Sequence, residues 1–109
     1  FDSYKLNLYN RTMIKDKYLK QVRQQVNQFN RDKKLKFFIF GSSLEKGHFG
    51  DLDLGVIGPI KRQELYQLKE KFEASNLPYF IDIVNFNKVS KDFKENVFNN
   101  KILWLTPSN

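Results

Sequence analysis

Three aspartates stand on two short stretches that otherwise read as hydrophobic strands, Gly50-Asp51-Leu52-Asp53-Leu54-Gly55-Val56-Ile57 and Phe80-Ile81-Asp82-Ile83-Val84. Residues two apart on a strand point to the same face, so Asp51 and Asp53 project together while Leu52, Leu54 and Val56 pack behind them. Two carboxylates roughly 7 Å apart repel by ~2.4 kcal/mol at an effective dielectric of about 20. A divalent cation about 4 Å from each would attract it by ~8 kcal/mol at the same dielectric, which outweighs the repulsion. Asp51, Asp53 and Asp82 are therefore candidate metal ligands. The alternative for Asp82 is an ion pair with a buried Lys or Arg, and the neighbours of its strand offer no obvious candidate.

The segment leading into the first of these strands suits an anion. It runs Gly41, Ser42, Ser43, Leu44, Glu45, Lys46, Gly47, His48, Phe49, Gly50. Glycine lets a backbone approach a phosphate closely, and a turn that starts a helix presents free N–H groups to it. Gly41, Ser42, Ser43, Lys46 and Gly47 are thus candidate phosphate contacts, with Ser42 donating a hydroxyl and Lys46 supplying a charge. Ser43 reads equally well as a backbone-capping hydroxyl. His48 reads as a solvated loop residue, because carboxylates and ions already supply a base. A phosphate cradle beside a metal site serves phosphoryl or nucleotidyl transfer, where positioning and charge stabilisation dominate the rate.

Composition narrows the chemistry further. The 109 residues amount to one small domain with no room for a second substrate-binding module. There is no cysteine and a single histidine, so thiolate sites and imidazole clusters are excluded. Oxygen ligands favour Mg2+ or Mn2+ over zinc. No apolar run approaches the ~20 residues needed to span a bilayer, and no secretory leader is evident, which predicts a cytoplasmic protein without a membrane partner. The net charge of +7 is uneven: residues 1–36 hold ten Lys or Arg against three Asp, and residues 37–109 balance nine against nine. A basic first third can attract nucleic acid, nucleotide phosphates or an acidic partner, although a compositional bias toward Lys, Asn, Phe, Ile and Tyr together is the stronger explanation.

The elements that must position these residues follow from periodicity. Residues 1–12 show no period and read as a leader ahead of one domain at 13–109. From Met13 to Arg31, Ile14, Tyr18, Val22, Val26 and Phe29 recur at helical spacing, with Asn10 or Thr12 as the expected cap and Lys15, Lys17, Lys20, Arg23 and Gln24 on the surface. Leu35 to Phe40 is a short aromatic run ended by Gly41, which predicts a buried strand. The connection from Ser42 to Gly50 has room for one helical turn, and a second strand runs on to Ile57, stopped by Gly58-Pro59. Lys61 to Asn76, with Leu65, Leu68 and Phe72, predicts a helix closed by Leu77-Pro78. A third strand, Tyr79 to Phe86, and a helix from Ser90 to Asn100 capped by Ser90 follow. Ile102 to Leu105 reads as an edge strand, and Phe93, Phe98 and Trp104 as core or interface packing. The class is α/β (α+β): a small mixed sheet of three to four strands flanked by helices.

In order and spacing these residues resemble the nucleotidyltransferase domain of the DNA polymerase beta superfamily: Gly-Ser after a hydrophobic strand, a loop, Asp-x-Asp, and a third carboxylate on a later strand. Gly41, Ser42, Asp51, Asp53 and Asp82 fall on those positions in sequence order. The short length, and the stretch from Leu68 to Phe98, look like the minimal nucleotidyltransferases within it. The resemblance implies the nucleotidyltransferase fold, with Asp51, Asp53 and Asp82 as ligands to two Mg2+ ions, Asp82 aiding deprotonation of the attacking hydroxyl, and Gly41 and Ser42 on the β and γ phosphates of ATP or another nucleoside triphosphate. Pyrophosphate would leave. Two departures stand out: Ser43 occupies a place where most relatives carry Arg, and only eight residues separate Ser42 from Asp51.

The resemblance also implies a partner, since minimal nucleotidyltransferases are encoded beside a small helical HEPN-type or substrate-binding protein, and some act as antitoxins that attach AMP to it. Three functions follow. The first is an enzyme that modifies a hydroxyl on a partner macromolecule. The second is a catalytically weak or inactive module that neutralises a helical partner by contact, which Ser43 favours. The third is a basic RNA-binding protein, whose affinity would fall steeply with salt.

Overall fold

The computed structural model describes residues 14–44 and 50–107. In chain order the elements are helix α1 (Asp16–Phe29), strand β1 (Lys36–Phe40), a single 3-10 turn (Gly41–Leu44), strand β2 (Asp51–Ile57), helix α2 (Arg62–Glu73), strand β3 (Phe80–Asn85), helix α3 (Lys91–Phe98) and strand β4 (Leu103–Trp104). The four strands form one mixed sheet in the order β3-β2-β1-β4. β1 runs antiparallel to both β2 and β4, whereas β2 and β3, joined through α2, are parallel. A parallel pair needs such a crossover, because no tight turn can return the chain to the same end of the sheet.

Strand periodicity divides the core into two unlike halves. On one face Phe37, Ile39, Leu52, Leu54, Val56 and Ile81 pack with Val22 and Val26 of α1 and Leu68 and Phe72 of α2. On the other, Phe38, Phe40 and Phe86 meet Val97 of α3, with Phe98 and Trp104 against them. Phe38 is the hub of that aromatic half: its ring centroid lies 4.8 Å from Phe86, 5.2 Å from Phe98 and 5.1 Å from Trp104. Such edge-on and tilted pairs add to the area term, at about 0.5–1.5 kcal/mol each.

Phe38 fits because its neighbour on β2 has no side chain. Phe38 stands opposite Gly55 in the β1–β2 register. A Cβ on Gly55 would collide with the Phe38 ring, whose Cε1 lies 2.9 Å from the position it would take. The glycine weakens the strand on its own account, and the aromatic ring laid over it fills the gap.

The ends of the elements show where local chemistry wins. α1 begins at Asp16, with Lys15 in extended conformation at the cap and no side-chain cap bond, which corrects the expected start at Met13. Asn10 and Thr12 lie outside the described residues, as does the leader 1–12. Ile14 precedes the cap and Leu19 sits in the first turn, and both are buried in the same cluster, the placement of a hydrophobic staple. Arg23 is also corrected: it is half-buried and donates from Nη2 to the Trp104 carbonyl at 3.3 Å, so it ties α1 to β4. At the other end of α1, Asn30 is buried and bonds Leu35 twice, accepting from its N–H at 3.1 Å and donating to its carbonyl at 2.7 Å. α2 is capped by Glu64, whose Oε1 accepts from Lys61 N at 2.8 Å. Ser90 caps α3 as expected, accepting from Phe93 N at 3.1 Å.

Gly55→Ala is expected to lower stability by about 1–3 kcal/mol through overpacking. The paired variant Gly55→Ala with Phe38→Leu should lose less than the sum of the two single changes, because the smaller side chain makes room for the methyl. Urea denaturation of the four proteins checks this; strictly additive losses would contradict it.

Candidate functional site

Asp51, Asp53 and Asp82 lie at the end of the sheet where β1 finishes and β2 and β3 begin. β2 carries Asp51 and Asp53 on the aromatic face, with Leu52, Leu54 and Val56 buried behind them. Across the parallel pairing Asp53 stands opposite Asp82, and Asp51 opposite Phe80. Neighbouring strands lie about 4.8 Å apart and residues i and i+2 about 6.6 Å, so the three Cα positions form a compact triangle on one face. Asp51 and Asp82 are exposed and Asp53 is half-buried. Because Asp82 is on β3, an edge strand, one side of the triangle is open to an incoming group.

Gly41 closes the other side. It follows Phe40, whose β2 partner is Asp53, and it adopts φ +75°, a conformation that L side chains rarely take. A Cβ at this position would stand 2.8 Å from Asp53 Oδ2. The backbone of the 3-10 turn that starts here is therefore held directly against the half-buried carboxylate. Only glycine combines that conformation with that approach.

Of the other expected phosphate contacts, Ser42 and Ser43 lie on the backbone of the 3-10 turn, which realises the helical turn predicted for this connection. Lys46, Gly47 and His48 lie outside the described residues. Among the described residues no three carboxylate or imidazole side chains are drawn together tightly enough to enclose an ion. The donor set nevertheless fits a hard divalent cation in kind: the acids are oxygen ligands on one face, and backbone amides adjoin them. No helix among the described residues is long and apolar enough to cross a membrane.

Two features of the site carry no local signal in the sequence. Phe80, 60% exposed, sits beside Asp51 on the aromatic face. A cleft of about 640 Å3 opens from Gly41 toward the end of α3, where Asn96, Asn99, Asn100 and Lys101 line it. Both depend on how β3 and α3 are laid against the sheet. The pattern of apolar residues reports which face of an element is buried, not which neighbour it reaches.

The polymerase beta nucleotidyltransferase family matches residues 24–108, a span that contains β1, the 3-10 turn and all three aspartates. The chain belongs to this family. Its nucleotidyltransferase domain shares its fold with solved structures of low sequence identity. One is a toxin–antitoxin crystal structure with AMP-PNP, at 21% identity and TM-score 0.60, over 80% of this chain and 74% of that one. Another is the complex of a tri-AMPylated Shewanella oneidensis HEPN toxin with an MNT antitoxin, at 21% identity and TM-score 0.58, over 83% and 73%. A third is a MntA–HpeT toxin–antitoxin mutant, at 20% identity and TM-score 0.60, over 80% and 74%. No curated protein is significantly similar to the nucleotidyltransferase domain in sequence.

Gly41→Ala should cost about 1–2 kcal/mol of stability from the left-handed backbone alone, a drop in Tm of about 4–8 °C per kcal/mol for a domain of this size. Its methyl should also displace the Asp53 carboxylate. Thermal unfolding with and without nucleotide and Mg2+ checks both parts: the wild type should gain stability from the ligands and the variant should not.

Proposed function

We propose that this domain is a metal-dependent nucleotidyltransferase that moves a nucleoside monophosphate from a nucleoside triphosphate to a hydroxyl on a partner macromolecule. The observation that supports the reading is the placement of Asp51, Asp53 and Asp82 on one face of neighbouring strands, with Gly41 against Asp53, in a chain of this family. ATP is the favoured donor and a HEPN-type toxin the favoured acceptor. That choice is supported by the AMP-PNP complex and the AMPylated HEPN toxin among proteins of the same fold.

In this mechanism Asp51, Asp53 and Asp82 would hold two divalent ions, Mg2+ with Mn2+ as a substitute. When bound, such ions neutralise the phosphate charge and stabilise the entering and leaving oxygens. Gly41 and Ser42 orient the β and γ phosphates through backbone and hydroxyl donors, which leaves the α-phosphorus facing the carboxylates. Asp82, on the open edge strand, orients the incoming hydroxyl and accepts its proton. The new bond joins that oxygen to the α-phosphorus, the bond from the α-phosphorus to the β-bridging oxygen breaks, and pyrophosphate departs. No side chain of this domain forms a covalent intermediate.

A second reading has support from Ser43, which stands where the family resemblance implies an Arg: the domain neutralises its helical partner by contact, with little transfer. Labelled ATP, Mg2+ and a HEPN-type partner separate the two. Transfer of label to the partner is expected from the wild type, falling at least about 100-fold in Asp53→Asn, in line with loss of a principal charge-stabilising group. Asp82→Asn should fall comparably with its fold intact. Tight partner binding by a wild type that transfers no label would establish the contact-only reading instead.

A further inference from the structure

We infer that the end of the sheet opposite the aspartates binds the phosphate backbone of double-helical nucleic acid. This surface is separate from the nucleotidyl-transfer site and shares no residue with it.

Three stretches meet at that end: residues 31–34 leading into β1, 58–64 between β2 and the first turn of α2, and 85–88 leaving β3. Backbone contacts fix their closeness. The Lys34 carbonyl lies 2.6 Å from where a Cβ on Gly58 would stand, and the Asn87 side chain bonds both the N–H and the carbonyl of Gly58. Together the stretches carry Arg31, Lys33, Lys34, Lys61, Arg62 and Lys88 against Asp32 and Glu64, six cations to two acids. All six cations are exposed. Both carboxylates are turned to backbone: Asp32 accepts from Lys34 N at 3.4 Å and Glu64 from Lys61 N at 2.8 Å. A Lys-rich composition decides how many such residues the chain has, but the sheet register decides that these share one end.

The cations are mounted on hydrogen-bonded turns. Lys33 holds φ +59°, uncommon for a residue with a side chain, and its N–H donates to Asn30 O at 3.1 Å, while Lys88 N donates to Asn85 O at 3.1 Å. A backbone already ordered loses less freedom on binding. Gly58 lies five residues beyond Asp53, about 16 Å along a strand. That is roughly twice the screening length at physiological salt, so the aspartates repel a polyanion held here only weakly. A protein partner fits less well, because protein interfaces exclude lysine and gather aromatic residues at their centres. Among the described residues the exposed large hydrophobics, Tyr66, Phe80 and Phe93, all fall outside the three stretches. The same composition leaves no platform for the stacked bases of a single strand. A duplex carries one charge about every 1.7 Å of its axis and asks only for cations in non-specific binding.

Fluorescence anisotropy of a labelled RNA duplex and of a DNA duplex of the same sequence, titrated with the whole chain between about 50 and 200 mM salt, tests this. About four phosphate contacts would give roughly a 150-fold loss of affinity for either duplex over that range. The triple variant Lys33→Asn, Lys34→Gln, Arg62→Gln should bind more weakly at the lowest salt and lose only about 3- to 4-fold over the same range, since each phosphate contact removed lowers the salt slope by about 1. A charge-matched control on the three helices, Lys20→Gln, Lys69→Gln, Lys94→Gln, should bind as the wild type does. Unaltered melting temperatures would show that both variants are folded. Equal losses in the two triple variants, or a wild type that binds neither duplex at the lowest salt, would overturn the inference while the carboxylate site stands. Displacement of the duplex by poly-glutamate at equal charge would also overturn it, in favour of an acidic protein.

Discussion

One strand carries two incompatible demands. β2 must place Leu52, Leu54 and Val56 in a dry core and, on the opposite face, hold Asp51 and Asp53 where solvent and ligands reach them. The two-residue repeat of a strand satisfies both, and only in one register. A slip by a single position would bury two carboxylates and expose three aliphatic side chains, at a cost of about 1.5–3 kcal/mol for each aliphatic alone. The apolar face thereby fixes the positions of the acids. Core packing and the candidate chemistry are the same constraint read from two sides.

The neighbours of β2 extend that constraint. β1 delivers Gly41 opposite its acidic end, and β3 brings Asp82 level with Asp53. Both placements need ladders held in register far from the site. At the opposite end of β2, Asn87 clips the chain: its Oδ1 accepts from Gly58 N at 3.1 Å and its Nδ2 donates to Gly58 O at 2.7 Å. That pair of hydrogen bonds between the exits of β2 and β3 keeps the parallel pair aligned. On the β1 side, Leu105 N donates to Phe37 O at 2.9 Å, and Thr106 Oγ1 accepts from Phe37 N at 3.2 Å, so the short β4 holds an edge longer than itself.

Every strand and helix expected from the sequence within the described residues is present, because each is a short apolar run bounded by Gly, Pro or a polar cluster. Asp51, Asp53, Asp82 and Gly41 stood out for a related reason: a charge inside an aliphatic strand, or a glycine at its exit, contradicts its surroundings and so calls for an explanation. What did not show is long-range. The ring of Phe38 over Gly55 joins residues on different strands, the Arg23 bond to Trp104 spans most of the chain, and Lys101 reaches the Gly41 cleft only because α3 crosses the aromatic face. Helix ends shifted by a few residues, as at Lys15, where side-chain capping was expected and a buried Ile14 does the anchoring instead.

The proposed chemistry requires that three carboxylates on one face take up divalent cations together with a nucleotide seated against Gly41. Electron paramagnetic resonance of Mn2+ added to the protein with AMP-PNP tests it without any turnover. Protein-dependent Mn2+ uptake is expected, stronger when AMP-PNP is present and lost in Asp53→Asn. Mn2+ uptake equal in the wild type and in that variant, or no uptake beyond that of AMP-PNP alone, would contradict it.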